Sequence, residues 1–179
     1  MSSVFLSQIL IKDAQRYYNV FSILDEVKYL EGVWKGTLTK TAVPFRRGQL
    51  KGYMKKHYTE ARYFVKNIGA HFGMEHGGNK RLEEVFEKAN RLNKSGCIDD
   101  EYIGFVANEI TFNCYKERAK AKRLTGEWIV FENHNNMNYY LTLATHNEDE
   151  AGIFKRIEMA IGMNFPFLKR NSEGKPIGV

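Results

Sequence analysis

The stretch Asn138-Tyr139-Tyr140-Leu141-Thr142-Leu143-Ala144-Thr145-His146 is dense in aromatic and β-branched residues and ends in polar ones, which predicts a β-strand. Successive side chains of a strand point to opposite faces of its sheet. One face, which we expect to be core, carries Tyr139, Leu141, Leu143 and Thr145. The opposite face carries Tyr140, Thr142, Ala144 and His146. A phenol, a hydroxyl and an imidazole in a row are unusual on a plain solvent face, so this row is a candidate site.

The strand is predicted to be the second half of a hairpin. Residues 127–132 also have a strand pattern, and the asparagine-rich segment 133–138 predicts the turn because asparagine tolerates left-handed backbone conformations. Acidic residues within 147–150, followed by apolar residues at helical spacing, predict a C-terminal helix. The tail after Pro166 is basic and glycine-rich, and we expect it to be frayed.

Upstream of the hairpin, apolar residues recur at steps of three and four in several segments. They predict helices over 4–31, 49–67 and 80–93, and a loose alternation predicts a short strand over 33–41. The segment 99–112 fits a helix and a strand equally well. The predicted fold class is α+β, with N-terminal helices packed on a small antiparallel β-sheet and a C-terminal helix. The chain divides into an N-terminal helical segment (1–32), an α+β catalytic-like domain (33–168) and a flexible basic tail (169–179).

The composition of the 179 residues limits the class of protein. Hydrophobic residues at 43% suffice for a core, while a net charge of +6 and a pI near 9.2 point to a polyanionic partner, nucleic acid before an anionic membrane surface. The alternative is that this charge only aids solubility. Two cysteines, Cys97 and Cys114, are too few for a disulfide framework or a zinc site and fit a reducing compartment. Without a signal-peptide pattern or a long apolar stretch, we expect a soluble cytoplasmic protein that does not enter a membrane.

Two histidines are candidate catalytic residues. His57 interrupts the apolar stripe of the predicted helix 49–67, and His146 ends the predicted strand. Imidazole suits general acid–base catalysis at neutral pH, because its unperturbed pKa of about 6.5 makes both protonation states available. RNA is cleaved without a metal when one group deprotonates the ribose 2′-hydroxyl and another protonates the leaving 5′-oxygen. The alternatives are a hydrogen-bonded core residue for His57 and a capping residue for His146.

Further side chains would complete such a site. Tyr140 and Thr142 would donate hydrogen bonds to the phosphate, and Lys56, Arg118 or Arg123 would offset its charge. The basic run over 116–123 consists of Lys116, Arg118, Lys120, Lys122 and Arg123. This run either follows a nucleic-acid backbone or forms a solvated helix face. Trp34 and Trp128 are interpreted as core residues, with base stacking as the alternative.

His71, Glu75 and His76 form a weaker candidate for a metal site. Their spacing in a glycine-rich loop differs from the helical His-Glu-x-x-His pattern of zinc hydrolases. We interpret these histidines as solvated and expect neither a metal nor another cofactor.

Two parts of the chain resemble a family of ribonucleases. The first is Leu50-Lys51-Gly52-Tyr53-Met54-Lys55-Lys56-His57 with the later Phe86-Glu87-Lys88-Ala89, and the second joins 128–131 to 139–146. They are similar to segments of bacterial toxin and phage-borne ribonucleases, the superfamily that groups barnase, EndoU, colicin tRNases and RelE. The resemblance implies N-terminal helices on a small antiparallel sheet and RNA cleavage without metal. Carried over by residue, it makes His57 an acid–base residue and Thr142, Thr145 and His146 the hydroxyl and imidazole positions of the sheet.

The expected function is therefore a metal-independent endoribonuclease of toxin or phage type that acts on tRNA or mRNA. Its expected partners are RNA and a cognate antitoxin or immunity protein. The first alternative is a non-enzymatic nucleic-acid-binding or inhibitor protein of phage or mobile-element origin, with the basic run as its site. The second is a protein-interaction module that docks through its N-terminal helix.

Overall fold

The computed structural model describes residues 1–15, 19–74, 77 and 80–170. The strands β1 (Val43–Pro44), β2 (Met54–Tyr58), β3 (Glu127–His134) and β4 (Met137–Ala144) form one antiparallel sheet in that order. The α-helices of these ranges are α1 (Ser3–Ala14), α2 (Val20–Leu30), α3 (Phe64–Phe72), α4 (Lys80–Leu92), α5 (Asp100–Asn108), α6 (Cys114–Lys120) and α7 (Glu150–Asn164). The predicted α+β class is confirmed. Within the described ranges, no helix has both the length and the apolar character needed to cross a membrane.

Helices cover both faces of the sheet. The core on the α7 face consists of Leu50, Tyr53, Val130, Leu141, Ala144, Ile153, Ile157, Ala160, Ile161 and Leu168. The core on the face of α1 and α2 consists of Phe5, Ile23, Val27, Tyr58, Ile129, Phe131, Tyr140 and Leu143. Each fully buried large apolar side chain contributes roughly 1.5–3 kcal/mol, so burial against the two layers holds the sheet in place.

A β-bulge in β4 changes which of its side chains share a face. Phe131 pairs with Tyr140 and Val130 pairs with Thr142, so Leu141 is an extra residue in the ladder. A bulge puts two residues of one strand opposite one residue of its neighbour and so interrupts the alternation of faces. The strict alternation predicted for this strand is therefore wrong.

Both faces of β4 belong to the interior. Tyr139 and Leu141 pack on the α7 side, whereas Tyr140 and Leu143 lie on the side of α1 and α2. The polar face predicted for this strand is wrong, since Tyr140 is 3% exposed and Thr142 is 0% exposed.

The outer edge of β4 is covered by α1. The backbone amide of Ser2 donates to the carbonyl oxygen of Tyr140 at 2.8 Å, and the Ser2 hydroxyl donates to that of Leu141 at 2.7 Å. The side-chain amide of Gln8 exchanges two hydrogen bonds with the backbone of Leu143, at 3.1 and 2.7 Å. These contacts satisfy backbone groups that an edge strand would otherwise expose.

The helix predicted over 49–67 is wrong, because β2 occupies its middle. Gly52 has a φ of +90°, a left-handed conformation that ends a helix. Pairing with β3 then sets the strand, with His57 opposite Trp128 in the register. Since both faces of β2 are partly buried, its apolar residues do not alternate cleanly and mimic a helical stripe. The helix of this region, α3, begins only at Phe64.

Two N-terminal predictions differ from the structure. The single helix predicted over 4–31 is replaced by α1 and α2, and residues 16–18 between them lie outside the described residues. The strand predicted over 33–41 is reduced to one isolated bridge, between Thr39 and Leu124.

Three predictions further along the chain have clear outcomes. The helix over 80–93 is confirmed by α4, and the turn over 133–138 by Asn135 and Asn136, whose φ values are 50° and 62°. The ambiguous segment 99–112 is helical, because α5 continues into a π-helical segment that leads to α6.

The chain after Pro166 packs against the domain. Leu168 is 3% exposed, and the Arg170 guanidinium lies 4.1 Å from the centroid of the Tyr53 ring while it pairs with Glu132. The predicted frayed tail is therefore wrong as far as Arg170, and residues 171–179 lie outside the described residues.

Gly126, just before β3, passes close to the backbone of β2. A Cβ atom here would meet the carbonyl oxygen of Tyr58 at 1.8 Å, so the backbone itself would have to shift. We expect Gly126→Ala to lower the free energy of unfolding by roughly 1–3 kcal/mol or more, measured by urea denaturation. The matched control is Gly162→Ala in α7, where an added Cβ meets nothing within 4 Å. Helix propensity predicts a gain of roughly 0.5–1 kcal/mol there, and equal stability of the two variants would contradict the close approach.

Candidate active site

The sheet brings His57 and His146 together at one of its ends. His57 pairs with Trp128 and Trp128 pairs with Ala144, so these side chains form a row across three strands. His146 follows the end of β4 by two residues. Its ring centroid lies 5.5 Å from that of His57, and the two rings are stacked at an interplanar angle of 25°.

His57 is a buried neutral imidazole whose tautomer is fixed. It is 8% exposed, and burial lowers its pKa from 6.5 to about 4. Its Nδ1 lies 3.0 Å from the carbonyl oxygen of Gly126, which can only accept, so Nδ1 carries the proton. Nε2 therefore holds the free lone pair, and no described residue donates a hydrogen bond to it. In this state Nε2 of His57 is able to accept a proton.

A buried carboxylate holds His146 in place. Glu127 is 1% exposed, and its Oε2 accepts a hydrogen bond of 2.9 Å from the backbone amide of His146 and lies 3.5 Å from the ring Nδ1. Its Oε1 accepts a hydrogen bond of 2.6 Å from the phenol of Tyr63. Nδ1 of His146 is buried and makes no hydrogen bond among the described residues, so Glu127 holds the residue through its backbone amide, and its carboxylate can compensate the charge that the ring gains with a proton. Nε2 of His146 is then the nitrogen left for a substrate.

Aromatic rings enclose the histidine pair. The His146 centroid lies 4.4 Å from that of Trp128 and 5.9 Å from that of Tyr63. Phe45 meets Trp128 edge-on, with 5.4 Å between centroids. This packing limits ring rotation, while the side chain of His146 remains 27% exposed.

Two lysines beside the histidines, Lys55 and Lys40, have no carboxylate partner among the described residues. The Lys55 amine lies 4.6 Å from the ring centroid of Phe45 and 4.7 Å from that of Trp128. Burial lowers the pKa of Lys55, and the charge of Lys40 lowers it further. Positive charges gathered without a counter-ion favour the binding of an anion.

Two predicted phosphate donors serve the fold instead. The Tyr140 phenol donates to Glu31 at the end of α2. The Thr142 hydroxyl accepts from Nε of Arg156 at 3.0 Å and donates to Oε1 of Gln8 at 3.0 Å. Because both side chains are buried and occupied, the prediction that they contact a phosphate is wrong.

Lys56 is buried on the opposite face of β2 from His57. It is 0% exposed, and its amine lies 2.9 Å from a carboxylate oxygen of Glu26 and donates to the hydroxyls of Thr37 and Thr39. The prediction that Lys56 contacts RNA is wrong. Alternation along the strand places its neighbour Lys55 on the face of the histidines instead.

The other predicted residues lie near the surface. Thr145 is half-buried in the turn before α7, with its backbone amide 3.3 Å from Oε2 of Glu148. Lys120, Lys122 and Arg123 are exposed, and half-buried Arg118 donates to the carbonyl oxygen of Arg123 at 2.6 Å. Their roles stay predictions.

The weaker metal candidate is only partly within the described residues. His71 lies in the last turn of α3 with its side chain 10% exposed and its Nε2 3.8 Å from a carboxylate oxygen of Glu117, so its interpretation as a solvated residue is wrong. Glu75 and His76 lie outside the described residues. Across the described ranges, no three metal-binding side chains are arranged to hold an ion.

The interpretation of Trp34 as a core residue is also wrong, because it is 55% exposed.

Three residues of the site, Lys55, Tyr63 and Glu127, were not selected from the sequence. The alternation of a strand over 54–58 is the signal that would have separated Lys55 from Lys56. Glu127 is the one carboxylate that opens a strand pattern near a candidate histidine, and nothing local marks Tyr63.

The chemistry of this site has to be inferred from its own geometry. No protein family, curated protein or solved structure matches the chain. The geometry combines a neutral base, an imidazole held by a carboxylate and two uncompensated lysines. Proton transfer at an anionic substrate is the chemistry that such a set supports.

The lowered pKa of His57 makes stability depend on pH. The unfolded chain binds this proton near pH 6.5, whereas folded His57 binds it only near pH 4. Keeping His57 neutral therefore costs no stability above pH 6.5. As the pH falls from 6.5 to about 4, the free energy of unfolding decreases by up to about 3 kcal/mol. We expect His57→Gln to lose this part of the pH dependence in urea unfolding at about pH 7.5 and about pH 4.5. Nitrogen NMR of the folded protein should find an Nδ1-protonated neutral ring at neutral pH, and an imidazolium there would contradict the assignment.

Proposed function

We propose that this chain is a metal-independent endoribonuclease of toxin or phage type, which cleaves RNA by acid–base catalysis between His57 and His146. The observation that supports the proposal is the stacked pair of imidazoles, with 5.5 Å between centroids. Two imidazoles at this separation can reach the attacking and leaving oxygens of one phosphorus atom. Because they carry both proton transfers, the reaction needs no metal-bound base.

In the proposed reaction each histidine has its own step. Nε2 of His57 takes the proton of a ribose 2′-hydroxyl, and the 2′-oxygen bonds to the adjacent phosphorus. The bond from phosphorus to the 5′-oxygen breaks, and protonated His146 gives that oxygen its proton. The products are a 2′,3′-cyclic phosphate and a 5′-hydroxyl, and both histidines return to their starting states by exchange with water. Lys55 stabilises the extra negative charge on phosphorus in the transition state.

Glu127 is a positioning residue in this scheme. It contacts the ring Nδ1 and the backbone amide of His146, at 3.5 and 2.9 Å, and is itself only 1% exposed. Through these contacts it fixes the backbone position of His146 beside the leaving oxygen and balances the charge of the protonated ring. Tyr63 holds the carboxylate from its other oxygen.

We expect the purified chain to degrade single-stranded RNA in EDTA. His57→Ala and His146→Ala should each lower the rate by about 10²–10⁴-fold, because each removes one proton transfer. The matched control is His134→Ala, at the far end of β3, which should retain the activity. Urea unfolding and circular dichroism of all three variants separate lost chemistry from lost fold.

Cleavage at the same rate in both folded site variants would contradict the assignment of the site. On expression, growth inhibition relieved by the same two variants would link the activity to a toxin. A cytoplasmic setting, tRNA or mRNA as target and a cognate antitoxin or immunity protein belong to this part of the proposal.

A second prediction separates Glu127 from a residue that binds substrate. Glu127→Gln keeps the shape of the side chain and removes its charge, so we expect kcat to fall by about 10–100-fold. KM for RNA should stay unchanged, because the carboxylate lies behind His146. A raised KM with an unchanged kcat would show that Glu127 acts on binding instead.

A non-enzymatic nucleic-acid-binding or inhibitor protein of phage or mobile-element origin is the second candidate function. The observation that favours it is the exposure of Lys120, Lys122 and Arg123 in the basic run. In that case RNA would remain intact while its affinity falls steeply with salt. The RNA degradation assay and a binding titration therefore distinguish the two functions.

A further inference from the structure

We infer that Lys122, Arg123, Lys40 and Lys55 form one cation track, which leads a single-stranded RNA from the basic run to the histidine pair. The inference rests on the proposed function for its endpoint. It adds a path and one further residue, Lys40, so that several phosphates lie on the protein at once.

The junction of the track is a bridge between two loops. Thr39 pairs with Leu124 in an isolated parallel bridge, and the Leu124 amide donates to the carbonyl oxygen of Leu38 at 3.4 Å. Lys40 follows Thr39, and Arg123 precedes Leu124. The bridge therefore sets the end of the basic run beside the segment that carries Lys40.

The same segment is fixed to β2 next to the site. The Thr39 hydroxyl donates to the carbonyl oxygen of His57 at 2.9 Å, and the buried Lys56 amine donates to that of Lys40 at 2.8 Å. The backbone of this loop is thus held to the strand that carries His57, while the Lys40 side chain itself is exposed. Buried Lys56 therefore has a role as the anchor of the track.

Electrostatic coupling between these groups agrees with the contacts. Burial lowers the pKa of Lys56, the hydrogen bond and charge of Glu26 raise it, and the charge of Lys122 lowers it. Burial likewise lowers the pKa of His57, and the charges of His146, Lys40 and Lys55 lower it further. The positive charges of the loop, the run and the site therefore influence one another.

The track carries no counter-ions of its own. Among the described residues, none of Lys40, Lys55, Lys122 and Arg123 has a carboxylate within ion-pair distance. The carboxylates close by are engaged, Glu26 with Lys56 and Glu127 with His146 and Tyr63. A row of uncompensated cations suits a chain of phosphates better than a single anion.

Single-stranded RNA is the polyanion that fits both ends of the track. His57 is only 8% exposed, so the backbone must bend into the recess to present a 2′-hydroxyl. An unpaired RNA strand bends in this way, and its 2′-oxygen can align with the leaving 5′-oxygen. In a duplex, base pairing holds these two oxygens out of line.

The test uses a labelled single-stranded oligonucleotide of about twelve 2′-O-methyl nucleotides, which resists cleavage because the attacking hydroxyl is blocked. Fluorescence anisotropy of the full chain gives Kd over a range of salt concentrations. The test variant is Lys40→Gln/Lys122→Gln, which removes two exposed charges at the junction. The matched control is Lys94→Gln/Lys155→Gln, which removes two exposed charges from the loop after α4 and from α7.

Loss of two phosphate contacts should weaken binding about 25-fold near 0.1 M salt, since each contact on a single strand contributes about 0.7 to the slope of log affinity against log salt. The slope itself should fall by about 1.4 in the test variant and stay unchanged in the control. A duplex of the same sequence should bind more weakly than the single strand.

The outcomes separate the track from the proposed function. Equal binding by the test and control variants would overturn the track, even if the wild-type chain cleaves RNA. A 25-fold loss in the test variant alone supports the track, even if no RNA is cleaved and the histidines are not catalytic. Equal affinity for the duplex would overturn the preference for a single strand.

Discussion

The passage of Gly126 across β2 is the constraint on which the sheet and the site both depend. Because this residue lacks a side chain, the chain can approach the carbonyl oxygen of Tyr58 and start β3 in register with β2. The carbonyl oxygen of the same residue fixes the Nδ1 proton of His57. Glu127 and Trp128 follow at once and meet His146. Strand pairing and the histidine tautomer therefore both involve Gly126, through two separate contacts.

The elements that could be predicted from sequence are those with an uninterrupted pattern. The helix α4 has one apolar face, and the β3–β4 hairpin has two strand patterns around an asparagine-rich turn. The strand β2 could not be read in this way, since both of its faces are partly buried and its residues fit a helical period. The fold class was still predicted correctly although β2 was taken for a helix, because the hairpin and the flanking helices already required an α+β arrangement.

The site could be predicted only in part, for a similar reason. His57 and His146 were selectable by residue type, but their contact depends on a register between strands that no local pattern encodes. The bulge at Leu141 puts Tyr140 on the side of α1 and α2, and Arg156 and Gln8 occupy the hydroxyl of Thr142. Lys55 and Lys56 are chemically alike, so only the pairing of β2 decides which of them faces the histidines. Tyr63 and Glu127 meet through the fold alone.

The cover that α1 provides for β4 also bears on how the chain is made. The Ser2 hydroxyl bonds to a residue 139 positions later, so the first helix has its partner only when the last strand has been synthesised. At about 5–20 residues per second this takes roughly 10–30 s on the ribosome. His146 follows the same strand, so a nascent chain that does not yet extend to His146 lacks the histidine pair altogether. Whatever chemistry the pair performs thus begins only after β4 has been synthesised, which is also when Ser2 and α1 can cover the edge of the sheet.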